Sequence, residues 1–186
     1  MSILVTGSAG FIGFHVSKAL LEKGEQVIGL DNINDYYSQD LKWSRNKILE
    51  KYDNFTFYHT DLCNLSKINK IFNDENISKI CHLAAQAGVR YSIENPFQYQ
   101  KSNLEGFTNI LEMARKFKVK NFVFASSSSV YGGNKKVPFS VEDDINRPVS
   151  FYAATKVANE AMAYSYHHLY DIPMVGLRFF TVYGPW

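Results

Sequence analysis

Ile3-Leu4-Val5-Thr6-Gly7-Ser8-Ala9-Gly10-Phe11-Ile12-Gly13 reads as an apolar strand, a glycine turn and the start of a helix. Apolar residues continue at helical spacing from about Phe11 to Lys23, and Gly24 suits a helix C-terminus. Glycine at such a turn lets the backbone approach a diphosphate with no Cβ in the way, and the helix start offers unpaired N–H groups to the anion. The alternative is a turn that is merely tight. Working outward, Val27-Ile28-Gly29-Leu30, Phe55-Thr56-Phe57-Tyr58, Ile80-Cys81-His82-Leu83-Ala84, Asn121-Phe122-Val123-Phe124-Ala125 and Val175-Gly176-Leu177-Arg178-Phe179 read as further strands. Helices are predicted over about 97–117 and about 151–169. Short apolar strands alternating with helices predict an α/β fold, a Rossmann-type doubly wound parallel sheet covered on both faces.

Composition sets the broad class. The 186 residues suit one domain, 1–186, with a real core, and the 46% hydrophobic and 20% charged fractions are those of a globular chain. A net charge of +2 gives no field for nucleic acid. The densest basic run, Arg115 to Lys120, closes a predicted helix, where cations are favourable. Cys63 and Cys81 form no Cys-x-x-Cys spacing, so neither a metal site nor a redox motif is expected, and they fit a reducing compartment. No apolar run approaches the ~20 residues of a membrane span, and Met1-Ser2 leads straight into a strand, so a cytoplasmic location is expected.

Four further features carry chemistry. Asp31 ends the second strand, where a carboxylate can accept from ribose hydroxyls and repel a 2′-phosphate, which favours NAD over NADP. An Asx-turn through Asp31-Asn32 is the alternative. Asp61-Leu62 follows the third strand, where the aspartate can meet adenine or simply cap a helix. Ser126-Ser127-Ser128-Ser129 follows the fifth strand, at the carboxyl edge where ligands bind in such sheets. A serine hydroxyl there can bond a reacting hydroxyl or carbonyl, or the run can be a plain turn. Tyr152 and Lys156 lie four residues apart on one helical face. A neighbouring ammonium favours the phenolate and is expected to lower the tyrosine pKa, making the pair a proton-transfer device.

Together these pieces resemble the extended short-chain dehydrogenase/reductases and, within them, the UDP-glucuronate 4-epimerases. The most specific stretches are Leu30-Asp31-Asn32-Ile33-Asn34-Asp35-Tyr36-Tyr37, the run from His82 to Ser92, and Arg178-Phe179-Phe180-Thr181-Val182-Tyr183-Gly184-Pro185-Trp186. The resemblance implies NAD held by Gly7, Gly10, Phe11, Ile12, Gly13, Asp31, Asn32, Asp61, Leu62, Leu83, Ala84, Ala85, Ala87, Asn103, Ser126, Tyr152, Lys156 and Phe180. It implies catalysis by Ser127, Tyr152 and Lys156, with Ser127, Ser128, Ser129, Tyr152 and Thr181 meeting a UDP-sugar. Arg90 sits in a distinctive stretch, and site proximity and a surface ion pair explain it equally well.

The implied reaction takes a proton from the sugar 4-hydroxyl onto Tyr152, moves hydride from C4 to NAD, turns the 4-keto sugar over and returns the hydride to its other face. A ketone at C4 of a uronic acid is β to the C5 carboxylate, and such acids decarboxylate readily. An epimerase must therefore hold the carboxylate out of alignment, a task for hydroxyls at Ser128, Ser129 and Thr181. A 4,6-dehydratase is disfavoured because no Asp-Glu pair follows Ser127. A UDP-glucuronate decarboxylase, or a non-catalytic NAD-binding protein, stays open. Members of the resembled family continue past the position of Trp186 into a substrate domain, which is expected to be largely missing here, so weak turnover by this chain alone is expected. The two long helices are expected to form a homodimer face through Phe107, Ile110, Leu111 and Ala114, or alternatively to pack on the sheet, with Ala158, Met162 and Ser165 on the second helix.

Overall fold

The computed structural model describes residues 1–186. Six parallel strands, β1 (Ser2–Thr6), β2 (Gln26–Asp31), β3 (Phe55–His59), β4 (Ile77–His82), β5 (Asn121–Ser127) and β6 (Met174–Phe179), form one sheet in the order β3-β2-β1-β4-β5-β6. The chain reverses direction across the sheet between β1 and β4, so their carboxyl ends open a crevice at the switch point. Strand alternation sends Ile3, Val5 and Val27 to one face and Leu4, Ile28 and Leu30 to the other, into two separate cores.

Helices α1 (Phe11–Glu22) and α2 (Gln39–Leu49) cover the smaller core through Phe14, Leu21 and Leu49. The larger core receives Ile68, Ile71 and Phe72 of α3 (Leu65–Asp74). It also receives Phe107, Ile110, Leu111 and Ala114 of α6 (Gly106–Lys116), each at most 1% exposed. Burying a side chain the size of Phe107, Ile110 or Leu111 stabilises by roughly 1.5–3 kcal/mol. That α6 face is therefore core and unavailable to a second copy.

The helix expected over 97–117 is three segments. Pro96 starts α5 (Pro96–Tyr99), a π-helical stretch follows over Gln100–Glu105, and α6 completes it, with the single turn α4 (Tyr91–Glu94) just before. π-Helical insertions alter which side chains face inward, and here the buried one is Asn103. Two further differences concern strand ends. β4 stops at His82, leaving Leu83 and Ala84 as crevice wall, and β5 runs on through Ser126 and Ser127. Apolar periodicity does not announce α2, because its buried face at i, i+3, i+4 and i+7 is Lys42, Arg45, Asn46 and Leu49. α3 has a legible face in Ile68, Ile71 and Phe72 and an Asn64 cap that accepts from the Lys67 amide at 3.1 Å.

Helix α7 (Phe151–Tyr170) is capped by Ser150, whose Oγ accepts from the Ala153 amide at 3.0 Å, and ends at Asp171 in the left-handed region. The cap fixes the helix start next to β5, and with it Tyr152 and Lys156.

Candidate active site

The glycine turn is shaped by close approach. The Gly7 amide donates to Leu30 O at 2.7 Å, and Gly7 has φ +70, a conformation that favours glycine. A Cβ on Gly13 would sit 1.9 Å from Gly7 O, so only glycine lets α1 seat against the strand end. Gly10 caps α1 with no side-chain bond and the first turn carries no acid. The first-turn N–H groups are thus left for an external anion.

Thr6 ties the two sides of the crevice together. Its Oγ1 accepts from the Leu83 and Ala84 amides, both at 3.2 Å, which directs its hydroxyl hydrogen to His82 Nδ1 at 2.9 Å. His82 is fully buried, and that burial pulls its pKa down to about 3.

Two connected cavities, about 170 Å³ and about 540 Å³, run along the carboxyl edge and share Gly7, Gly10, Tyr37, Leu83, Ala85 and Ala87. The smaller is lined by Asp31, Asn32, Asp61, Leu62 and Ala84 among others. The larger adds Phe11, Ile12, Gly13, Ser126, Ser127, Tyr152, Lys156 and Phe180. The acidic strand ends thus lie at one end of the cleft and the Ser-Tyr-Lys group at the other.

At the first end, Asp31 accepts from the Ile33 amide at 2.8 Å and the Ala9 amide at 3.1 Å. The Asx-turn and the cleft position are therefore both real. Burial pushes its pKa up against these bonds. Asp61 does not cap α3. It accepts from Asn32 Nδ2 and the Cys63 amide, each at 2.8 Å, and these bonds outweigh burial and hold its carboxyl below its ordinary value.

At the other end, Lys156 is 3% exposed and Nζ donates to Ala125 O at 2.8 Å. Burial pulls its pKa down to about 8. The expected lowering of the Tyr152 phenol by this ammonium is not what the geometry gives. Nζ lies 6.0 Å from the Tyr152 ring centre and is turned onto the carbonyl. Burial pushes the phenol up, and the Ser127 hydroxyl opposes it. Ser127 Oγ in turn donates to Ser129 Oγ at 3.0 Å.

Five expected contacts fall outside the cleft lining. Asn103 is a buried clamp: it accepts from the Gln86 amide at 2.8 Å and donates to Gln86 O at 3.0 Å and Thr155 Oγ1 at 3.1 Å. Its position holds the β4 loop against α7. Ser128 and Ser129 form a 3₁₀ turn beside Ser127, Thr181 is exposed, and Arg90 is exposed at the start of α4 with no ion pair. Ser126 lines the cleft, but its hydroxyl is bonded to Glu160. Conversely, the structure adds Lys42, Arg45 and Tyr37 to the lining. The usable signal in the sequence was the i, i+3 spacing of the two cations on one helix. Tyr99, fully buried, donates to Ala87 O at 2.7 Å and meets the Tyr152 ring edge-on at 6.0 Å.

A doubly wound sheet with a glycine turn, a strand-end aspartate and a Ser-Tyr-Lys group along one cleft defines an extended short-chain dehydrogenase/reductase. The chain belongs to the family described as GDP-mannose 4,6 dehydratase, whose model matches residues 4–186. It is 57% identical over 186 residues to Protein CapI of Staphylococcus aureus, covering 100% of this chain and 55% of that protein. It is 52% identical over 187 residues to UDP-glucuronate 4-epimerase 2 of Arabidopsis thaliana, covering 100% of this chain and 43% of that one. Among solved structures, it superposes with a TM-score of 0.88 at 39% identity on UDP-glucuronic acid 4-epimerase from Bacillus cereus in complex with UDP-glucuronic acid and NAD. That match covers 100% of this chain and 58% of the other. The chain spans about half the length of the curated relatives it matches.

Proposed function

We propose that residues 1–186 form the NAD-binding domain of a UDP-sugar 4-epimerase acting on UDP-glucuronate to give UDP-galacturonate. The observation that carries this reading is that Ser127, Tyr152 and Lys156 line the same cleft as the glycine turn and Asp31. The residues fit a dinucleotide. The first turn of α1 has N–H groups without partners for a diphosphate, Asp31 stands at the ribose end, and the small residues Ala84, Ala85 and Ala87 leave room along the wall. NAD, when bound, supplies a reversible hydride acceptor.

The chain's own residues handle the proton. Tyr152 removes it from the sugar 4-hydroxyl and later returns it, and Ser127, turning its hydroxyl hydrogen away from Ser129 Oγ, donates a hydrogen bond to the same oxygen. Lys156 enters this work from the Ala125 carbonyl. An ammonium with a pKa near 8 is readily redirected toward the phenolate as negative charge develops there. Ser128, Ser129 and Thr181 restrain the sugar carboxylate so that the C5 bond stays out of alignment with the C4 ketone. The protein pairs as a homodimer through exposed Ile93, Phe97 and Phe151 around α4, α5 and the start of α7, since the apolar α6 face is spent on the core. No helix is long and apolar enough to cross a membrane, and we place the protein in the cytoplasm.

The test is UDP-glucuronate turnover, followed by NMR of the sugar products, for the 186-residue chain and for a longer polypeptide continuing it as in the relatives. UDP-galacturonate from the longer polypeptide, abolished by Tyr152→Phe, is the expected result. Carbon dioxide and a UDP-pentose as main products would instead make the protein a decarboxylase. Failure of either polypeptide to bind NAD would remove the basis of the reading.

A further inference from the structure

Three cations line the cleft, Lys42, Arg45 and Lys156, and two of them have their needs met within the chain. Lys42 Nζ donates to Asn34 O at 2.7 Å and Asn34 Oδ1 at 2.6 Å, and the Asp31 charge acts on it. Lys156 is bonded to Ala125 O. Arg45 is different. It is 3% exposed, yet it belongs to none of the four ion pairs in the protein. Its Nη1 donates to Tyr37 Oη at 2.8 Å and to Ala9 O at 3.2 Å, and Nη2 donates to the Trp186 carbonyl. Tyr37 Oη and Ala9 O are neutral, the Trp186 oxygen is neutral as well when it belongs to a peptide bond, as in the longer relatives, and Nε is buried with no acceptor at all. A guanidinium cannot shed its proton, so a buried one without a counter-charge is costly unless an anion joins it.

Its location says which anion. Ala9 lies inside the glycine turn, between Gly7 and Gly10, so the guanidinium is fastened to the turn itself. It lines the cavity beside Phe11, Ile12 and Gly13, whose amides form the first turn of α1. We propose that Arg45, delivered from α2, is the counter-charge for the diphosphate of the bound dinucleotide, acting with the α1 N-terminus. This rests on the reading of the cleft as a dinucleotide site. Backbone N–H groups supply direction, and Arg45 supplies the full positive charge and fork geometry that suit phosphate oxygens.

The experiment measures equilibrium binding of NAD, ADP, adenosine and UDP to a polypeptide continuing past Trp186 as in the relatives, where Trp186 O is a peptide carbonyl, and to its Arg45→Met, Arg45→Lys and Lys47→Met variants, with a thermal melt of each. Lys47 is the control: it lies on the exposed face of the same helix and lines neither cavity. Arg45→Met is expected to weaken NAD and ADP by about 10- to 100-fold, the range of a charged hydrogen-bonded contact, and to leave adenosine unchanged. Arg45→Lys is expected to fall between wild type and Arg45→Met, and Lys47→Met to stay within about two-fold of wild type. If Arg45→Met does not fold, the loss in Arg45→Lys decides. The proposal is overturned if the folded Arg45 variants bind NAD as wild type does, if adenosine weakens as much as NAD, or if only UDP binding falls. A wild-type chain that binds no NAD defeats the cofactor reading itself, a separate outcome.

Discussion

Acid should unfold this protein through one histidine. His82 is buried at the end of β4 with Phe107 and Phe122 rings 5.3 and 6.3 Å away, and its Nδ1 is an acceptor for Thr6. Its pKa falls from an ordinary 6.5 to about 3, first through burial and then through the nearby Lys156 charge. Between these values the unfolded chain binds a proton that the folded one refuses, so stability falls as pH falls, by up to about 1.4 kcal/mol per pH unit. From pH 7 to pH 5 the loss is about 2 kcal/mol. The figure barely depends on the folded value, because at pH 5 folded His82 stays neutral whether it titrates at 3 or at 4. His82→Gln keeps an acceptor for the Thr6 hydroxyl and does not titrate. Urea unfolding of both proteins at pH 7, 6 and 5 isolates the term, since all other groups cancel in the difference between them. Wild type should lose about 2 kcal/mol more than the variant over that interval. An equal pH dependence in the two proteins would refute the reasoning.

Other perturbations follow from the same geometry. Lys156 has its folded pKa lowered to about 8 from 10.5, which costs about 3 kcal/mol at pH 7 and is relieved as pH rises through that window. Lys156→Met, which also leaves the Ala125 carbonyl unpaired, should gain about 1 kcal/mol in urea unfolding while abolishing turnover in the longer polypeptide. A destabilised variant would contradict this. Gly13→Ala places a Cβ against the Gly7 carbonyl and should cost at least about 3 kcal/mol, read as a drop in the urea midpoint. A loss under about 1 kcal/mol would mean that α1 can shift away from the turn. Glu160 takes a two-bond fork from Arg178 at 3.0 and 2.9 Å and a bond from Ser126, with both ionic side chains 18% exposed. Glu160→Ala should cost about 2 kcal/mol, less than a fully buried pair because solvent screens it, and an unchanged melting curve would rule that out.

The fold was legible because its signals are local. Apolar runs of strand length, helical periodicity and a glycine turn between them are set by backbone geometry within a few residues, and the order of elements then fixes a parallel sheet with a switch point. Tyr152 and Lys156 share a helical face by the pitch of the helix alone, and the fold brings them to the cleft that holds Gly7, Gly10, Asp31 and Ser127. Helix α2 was not legible, since a buried face of Lys42, Arg45 and Asn46 looks like a solvated one until its partners are known.

What only the tertiary structure decided are contacts between groups distant in the chain. Arg45 reaches Ala9 and Tyr37, Asn103 closes on Gln86, and Thr6 joins β1 to His82, Leu83 and Ala84. Lys156 turns to the Ala125 carbonyl, so burial and not its charge sets the resting state of Tyr152. Periodicity reports which side of an element is inside. Where a polar group points once inside depends on the acceptors that other elements bring to it, and no local pattern encodes those.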